Sequence, residues 1–222
     1  MYALAPDVSF CLDGEQVIFL DLRRDRYIGT SPDMGHSFYR YLKGDNPDDN
    51  VSRLVSNGLL VEAARPERPG PVFYEAPDIS LSDQGLKNRR LSPADVGQIG
   101  LSLVVQSQTS WRLRHASLHQ AISYLQQKKR SRQGGLSATG GERLIRLVRA
   151  YNLTRRLRAT QDRCLWWSFA LADLLLTHRL DCHLILAVQT KPFAAHAWVQ
   201  HRHLVLNDSL DNVKPYTPIL VI

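Results

Sequence analysis

The chain has 222 residues, enough for one large or two small domains, and 44% of them are hydrophobic, which is ample for globular cores. No apolar run approaches the roughly 20 residues of a membrane-spanning helix. The opening MYALAPDVSFCLDGE lacks the basic start of a secretory signal, and three cysteines make no disulfide framework, so the expectation is a cytoplasmic protein with a usable free thiol. The net charge of +7 is unevenly spread: residues 1–85 hold 8 basic and 14 acidic side chains, residues 86–158 hold 15 and 2, and the remainder balances. An acidic front and a basic middle argue for separate units with different partners.

In chain order, residues 8–12, 16–20 and 26–29 read as short strands, separated by the turn signals Asp13-Gly14-Glu15 and Arg23-Arg24-Asp25. Ser31 as N-cap and Pro32 at the first helical position open a helix over 33–42, which Gly44-Asp45-Asn46-Pro47 breaks. A second helix over 48–56 carries Val51, Leu54 and Val55 at helical spacing and ends at Asn57-Gly58; residues 59–62 are short and extended. This order, with the run Asp21-Leu22-Arg23-Arg24-Asp25-Arg26-Tyr27 and Gly29-Thr30-Ser31-Pro32, resembles the winged-helix-like RiPP recognition element over about residues 2–64. The resemblance implies that a leader peptide adds a strand beside the third strand, at Arg26, Tyr27 and Ile28, over an apolar floor of Val51, Leu54 and Val55. The plainer reading of the three floor residues is ordinary core.

Residues 64–82 are rich in Pro and polar side chains and read as a linker without regular structure. Helices follow over 93–105, 112–127 and 142–153, with a Gly-rich loop over 131–141 that is either a lid or plain flexible chain. Arginines recur among apolar residues at 144–149 and 153–158, the pattern of an amphipathic helix with a cationic outer face. A solvated face is the first explanation, an acidic partner the second and nucleic acid the third.

Residues 160–209 organise the rest. Cys164 opens an apolar helix over 165–178, which Thr160 or Asp162 would cap, and a thiol at that end meets the positive pole of the helix dipole. Strands follow at 183–188, 194–200 and 204–207. If 201–203 form the hairpin loop, His196 stands opposite Asp208, with Cβ atoms about 4.5–5.5 Å apart. Thiol, imidazole and carboxylate in that order have the logic of nucleophile, base and orienter in acyl transfer. Asp211 and Asn207 compete with Asp208 as orienter, and Gln161 is a candidate oxyanion donor beside the Cys164 amide. The plain alternatives are a core cysteine and a structural histidine. Cys182, His183, His196, His201 and His203 lie close in sequence but fit no metal-ligand spacing, so no metal and no cofactor is expected.

Arg163-Cys164-Leu165, Ala195-His196-Ala197-Trp198-Val199 and Asn207-Asp208 are similar to the transglutaminase-like cysteine-protease domain of lasso-peptide B proteins, which remove a leader from a ribosomally made precursor. That resemblance makes Cys164 the nucleophile, His196 the base and then acid, and Asp208 the orienter. It implies an α+β chain: a recognition element at 1–64, a linker at 65–85, and a transglutaminase- or papain-like domain at 86–222, helical first and then an antiparallel sheet. The implied partners are the precursor's leader and a separate asparagine-synthetase-like macrolactam synthetase, with no nucleic acid. The rival from another class is a peptide-binding adaptor that does no chemistry.

Overall fold

A computed structural model describes residues 1–63, 69–82, 93–131, 141–156 and 164–222. They group into two compact units, one of residues 1–74, 187–195 and 217–220, the other of residues 75–186, 196–216 and 221–222.

In the first unit, β2 (Val8–Asp13), β3 (Gln16–Asp21) and β4 (Arg26–Gly29) form an antiparallel sheet in that order. Asp13 pairs with Gln16 across a two-residue turn, and Gly14 takes the positive φ of 61° that this turn needs. Helix α1 (Pro32–Lys43) starts where expected: the Ser31 side chain accepts from the Met34 amide, and Pro32 fills the first turn. Helix α2 (Asp49–Ser56) is capped by Asp48, whose Oδ1 accepts from the Val51 amide at 3.0 Å, and Gly58 follows it at φ 73°.

A strand not anticipated from the sequence, β1 (Tyr2–Leu4), pairs antiparallel with β5 (Leu60–Glu62). Tyr41 ties β1 to α1, since its hydroxyl accepts from the Tyr2 amide at 2.8 Å and donates to the Tyr2 carbonyl at 2.7 Å. Beneath these elements, Phe10, Phe19 and Phe38 pack with ring centroids 5.1 to 6.0 Å apart. Val51 and Leu54 belong to the same core, both fully buried, and only Val55 of that trio is half-buried. In this conformation the first two are therefore core rather than an open floor: the stripe that presents Val55 near the surface turns its neighbours onto the phenylalanines.

In the second unit, α3 (Pro93–His115), α4 (Leu118–Arg130), α5 (Gly141–Arg156) and α6 (Cys164–Thr177) come before most of a five-stranded sheet in chain order; that sheet also draws on residues 187–190, 193–195 and 217–220, which group with the first unit. The sheet contains β6 (Ile79–Ser80), β7 (His183–Thr190), β8 (Phe193–His201), β9 (Leu204–Val205) and β10 (Thr217–Val221), in the order β10-β7-β8-β9-β6. A short helix, α7 (Leu210–Val213), lies between β9 and β10.

Several expectations need correction. The helices expected at 93–105 and 112–127 are divided differently. Nothing between them breaks the first, which runs on to His115, and the break comes at Ser117. There a capping box with Gln120 starts α4. The stretch expected to lack regular structure contains β6, which pairs parallel with β9, so the sheet is not purely antiparallel. The Gly-rich loop lies outside the described residues except for its first and last members.

Helix α6 is buried from Trp167 to Leu176, so it is apolar all round, and its one buried acid, Asp173, is met by Lys128 and by the Tyr124 hydroxyl. Among the described residues no helix is long and apolar enough to cross a membrane.

The aromatic core of the first unit makes a direct prediction. Phe38 is fully buried between Phe10 and Phe19, so Phe38→Ala should lower the free energy of unfolding by about 3–5 kcal/mol in a urea titration. A loss below about 1 kcal/mol would mean that the three rings are not the support described here.

Candidate thiol site

Cys164 is the first residue of α6, half-buried and free, while Cys11 and Cys182 are free and fully buried. His196 lies on β8, and its Nε2 is 2.7 Å from Asp208 Oδ2. With Nε2 occupied, the other ring nitrogen is left for the hydrogen bond that His196 makes with the Cys164 thiol. The three residues that the sequence places in order are thus in one relay. The carboxylate end of this relay and its imidazole are also held. Asp208 Oδ1 accepts from the Ser209 amide at 2.8 Å and from Asn212 Nδ2 at 2.9 Å, so neither carboxylate oxygen is left bare. Against the imidazole lie Trp198, stacked at 6.1 Å, and Tyr216 at 5.0 Å.

The route to this arrangement differs from the expected one. The ladder pairs Gln200 with Val205 and His201 with Leu204, so the turn is the two residues Arg202-His203, with Arg202 at φ 51°. This is one residue away from the register that set His196 opposite Asp208. Continued, it would put Asp208 beside Ala197, on the opposite face from His196. The ladder does not continue: β9 ends at Val205, and the last exchange is the Leu206 amide donating to the Val199 carbonyl at 2.9 Å. Beyond that point the chain leaves the pleat, and the freed backbone lets the Asp208 carboxylate reach the imidazole.

The other two candidate orienters are elsewhere. Asp211 is exposed in α7, and Asn207 is buried, its Oδ1 accepting from the Val199 amide at 2.8 Å and its Nδ2 donating to Ser168 Oγ at 2.9 Å. Gln161 lies outside the described residues, as do Thr160 and Asp162. Arg26, Tyr27 and Ile28 occupy β4, an outer strand of its sheet, with Arg26 exposed and the other two half-buried. Among the described residues no three His, Cys, Asp or Glu side chains converge as metal ligands. Ser168, Asn212 and Tyr216 were missed from the sequence; Ser168 alone left a trace, as a polar residue inside an apolar helix.

The electrostatics follow from competing terms. Burial pushes the Cys164 thiol up, but the hydrogen bond and charge of His196, helped by the Ala197 and Leu165 amides, outweigh it and hold the thiol below its ordinary value. Burial pulls His196 down, yet its bonds to Asp208 and Cys164 raise it to about 9. Burial likewise opposes ionisation of Asp208, and His196, Asn212 and the Ser209 amide together bring its carboxyl below the usual range. The site thus favours a thiolate over the ordinary thiol, beside an imidazolium and a carboxylate. Such a pair can attack a carbonyl carbon and pass a proton to a leaving group.

Residues 103–221, more than half of the chain, match the Transglutaminase-like superfamily. The chain belongs to that superfamily. The Microcin J25-processing protein McjB of Escherichia coli is 31% identical over 101 residues, which are 45% of this chain and 46% of that protein, so the match spans about half of that curated relative. No solved structure matches the chain. The two findings support the likeness to lasso-peptide B proteins read from the sequence. The superfamily match takes in Cys164, His196 and Asp208 and leaves the first unit's β1 to α2 outside it.

The three thiols should separate by reactivity. Burial pushes Cys11 up to about 12, with Asp13 adding to it, and burial also pushes Cys182 up to about 12. Iodoacetamide near neutral pH should therefore label Cys164 alone, read by peptide mass spectrometry, with a midpoint below the ordinary 9.0 of a thiol. Because His196 is raised above its ordinary 6.5, its charge stabilises the fold fully below that pH, and the contribution is lost as pH rises through about 9. Equal labelling of all three cysteines would show that the relay does not perturb Cys164.

Proposed function

We propose that this chain is the leader peptidase of a lasso-peptide pathway, acting in the cytoplasm. The observation that carries the reading is the relay of Cys164, His196 and Asp208 at the start of a buried helix, within a superfamily match and beside a similarity to a microcin-processing protein.

In this reading the Cys164 thiolate attacks the carbonyl carbon of the leader–core peptide bond. The resulting oxyanion is met by the Cys164 amide and, from its place in the sequence, by Gln161. The tetrahedral intermediate collapses as the imidazolium of His196 gives its proton to the departing amine of the core, leaving the leader as a thioester on Cys164. Neutral His196 then takes a proton from water, which attacks the thioester; the leader leaves with a new carboxylate, and the thiol is regenerated. Asp208 holds the ring orientation and the positive charge through both steps. The freed amine of the core passes to a macrolactam synthetase of the asparagine-synthetase type.

Residues 1–64 form, in the same reading, a winged-helix-like recognition element, joined by a linker at 65–85 to the peptidase at 86–222. The leader adds a strand to the outer edge of β4 at Arg26, Tyr27 and Ile28, with Val55 as the reachable part of the apolar surface and Val51 and Leu54 as its support. Capture of the leader raises the local concentration of the scissile bond, so the thiol site itself needs little affinity.

Mass spectrometry of a precursor incubated with the protein tests this. A single leader–core cut is expected, lost in Cys164→Ala, whose affinity for a fluorescent leader peptide stays unchanged. Cleavage should also fall as pH rises past about 9, where His196 loses its proton. Tyr27→Ala should weaken leader binding by about tenfold while leaving iodoacetamide labelling of Cys164 intact. Leader binding without any cut, even with the synthetase added, would replace this reading with a peptide-binding adaptor.

A further inference from the structure

The relay explains how His196 meets Asp208, but not what sets its distance from Cys164, which lies on a different element. Two buried polar residues outside the relay bear on this. Ser168 is fully buried and lies one turn after Cys164 on the same face of α6, and Asn207 is 3% exposed at the point where β9 has ended.

In an antiparallel strand the N–H and C=O of one residue point to the same edge, and residues two apart share that edge. Val199 faces β9, because its carbonyl accepts from Leu206; Ala197, two residues earlier, faces the same way. Past that bond, no strand among the described residues receives the Val199 amide or the Ala197 groups. The Asn207 side chain takes the Val199 amide at 2.8 Å, in place of a ladder carbonyl. Helix α6 takes Ala197: Ser168 Oγ donates to the Ala197 carbonyl at 2.8 Å, and the Ala197 amide lies on the Cys164 sulfur. Asn207 Nδ2 donates to Ser168 Oγ at 2.9 Å, which completes the hydroxyl's bonding and leaves its proton directed at Ala197.

We propose that Ser168 and Asn207 are positioning residues, a buried strap that grips the peptide of Ala197 and so sets His196 against Cys164. The inference rests on the relay being the reactive site, and it adds to that reading the pair that fixes its geometry. Ser168 and Asn207 touch neither the substrate nor the reacting atoms; they act through Ala197. Without the Ser168 hydroxyl, the Ala197 carbonyl loses its partner in a dry site, the strand relaxes away from α6, and both the imidazole and the Ala197 amide move off the sulfur.

The test is the pH dependence of iodoacetamide labelling of Cys164 in Ser168→Ala, with the melting temperature and the kcat and KM for precursor cleavage measured on the same preparation. The midpoint of labelling should rise by about one pH unit, an about tenfold loss of thiolate near neutral pH. The kcat should fall while KM holds. A folded variant with an unmoved labelling profile would overturn the strap, because a merely structural residue changes the melting temperature and not the thiol's titration. Should Ser168→Ala not fold, hydrogen exchange in the unsubstituted protein decides: the Ala197 and Val199 amides should exchange as slowly as the paired amides of β8, and fast exchange at either would overturn the proposal. Labelling needs no peptide, so failure to cut any precursor would remove the peptidase reading without touching this one. Normal cleavage with an unmoved profile would do the reverse.

Discussion

The arrangement of the thiol site depends on how the outer edge of β8 is shared. Strand β9 covers that edge for two residues and then stops. Ala197 and Val199 on that edge are buried, and their backbone groups must still find partners, since a bare amide or carbonyl in a dry interior costs about 1–3 kcal/mol. The Asn207 side chain answers at Val199, and the first turns of α6 answer at Ala197. A complete β9 would have satisfied the same groups, but it would have left no place for the helix that carries Cys164. The early end of a strand is therefore what allows thiol and imidazole to meet.

The same departure from the ladder frees residues 206–209 to bend, and this turns Asp208 toward His196. A set of mutually dependent bonds follows. Ser80 Oγ donates to the Asp208 carbonyl at 2.6 Å, so β6 holds the bend from the far side, while Asn212 and the Ser209 amide hold the carboxylate. The charges are stable at this depth only as a group. Burial works against the charged form of Cys164, His196 and Asp208, and at each of them the bonds and charge of its neighbours outweigh it. Cys11 and Cys182 show the other outcome: at Cys182 the nearby Lys129 bonds to the backbone carbonyl rather than the sulfur, burial dominates at both, and both are pushed up to about 12. Position at a helix start, partial exposure and the imidazole set Cys164 apart from Cys11 and Cys182.

The first unit works by different means. Its core is a cluster of three phenylalanines under a small sheet, closed by Tyr41, Val51, Leu54 and Leu60. That packing uses the inner faces of β2, β3, α1 and α2 and leaves β4 as an outer strand. An outer strand backed by a rigid aromatic core is a suitable base for pairing with an extended peptide, because the receiving backbone is already ordered before it binds.

Local chemistry alone determined a good deal of this protein. The cap at Ser31, the glycine turns, the alternation of the short strands and the apolar run of α6 are all set within a few residues of themselves, and they appear where the sequence puts them. The order of Cys164, His196 and Asp208 is likewise legible, because few other chemistries need those three types on a helix start, a strand and the segment after its hairpin partner. Tertiary structure decided what depends on distant partners. Strands β1 and β6 are two or three residues long and exist only through β5 and β9, far away in the chain, so their own residues carry almost no signal. Whether Val51 and Leu54 are core or surface depended on which side of α2 met the phenylalanines. The β8–β9 register differed by one residue from the one read from the loop, and alternation along a strand would then have parted His196 from Asp208. They meet because β9 ends where the packing of α6 requires it to, a constraint set by residues some forty positions upstream.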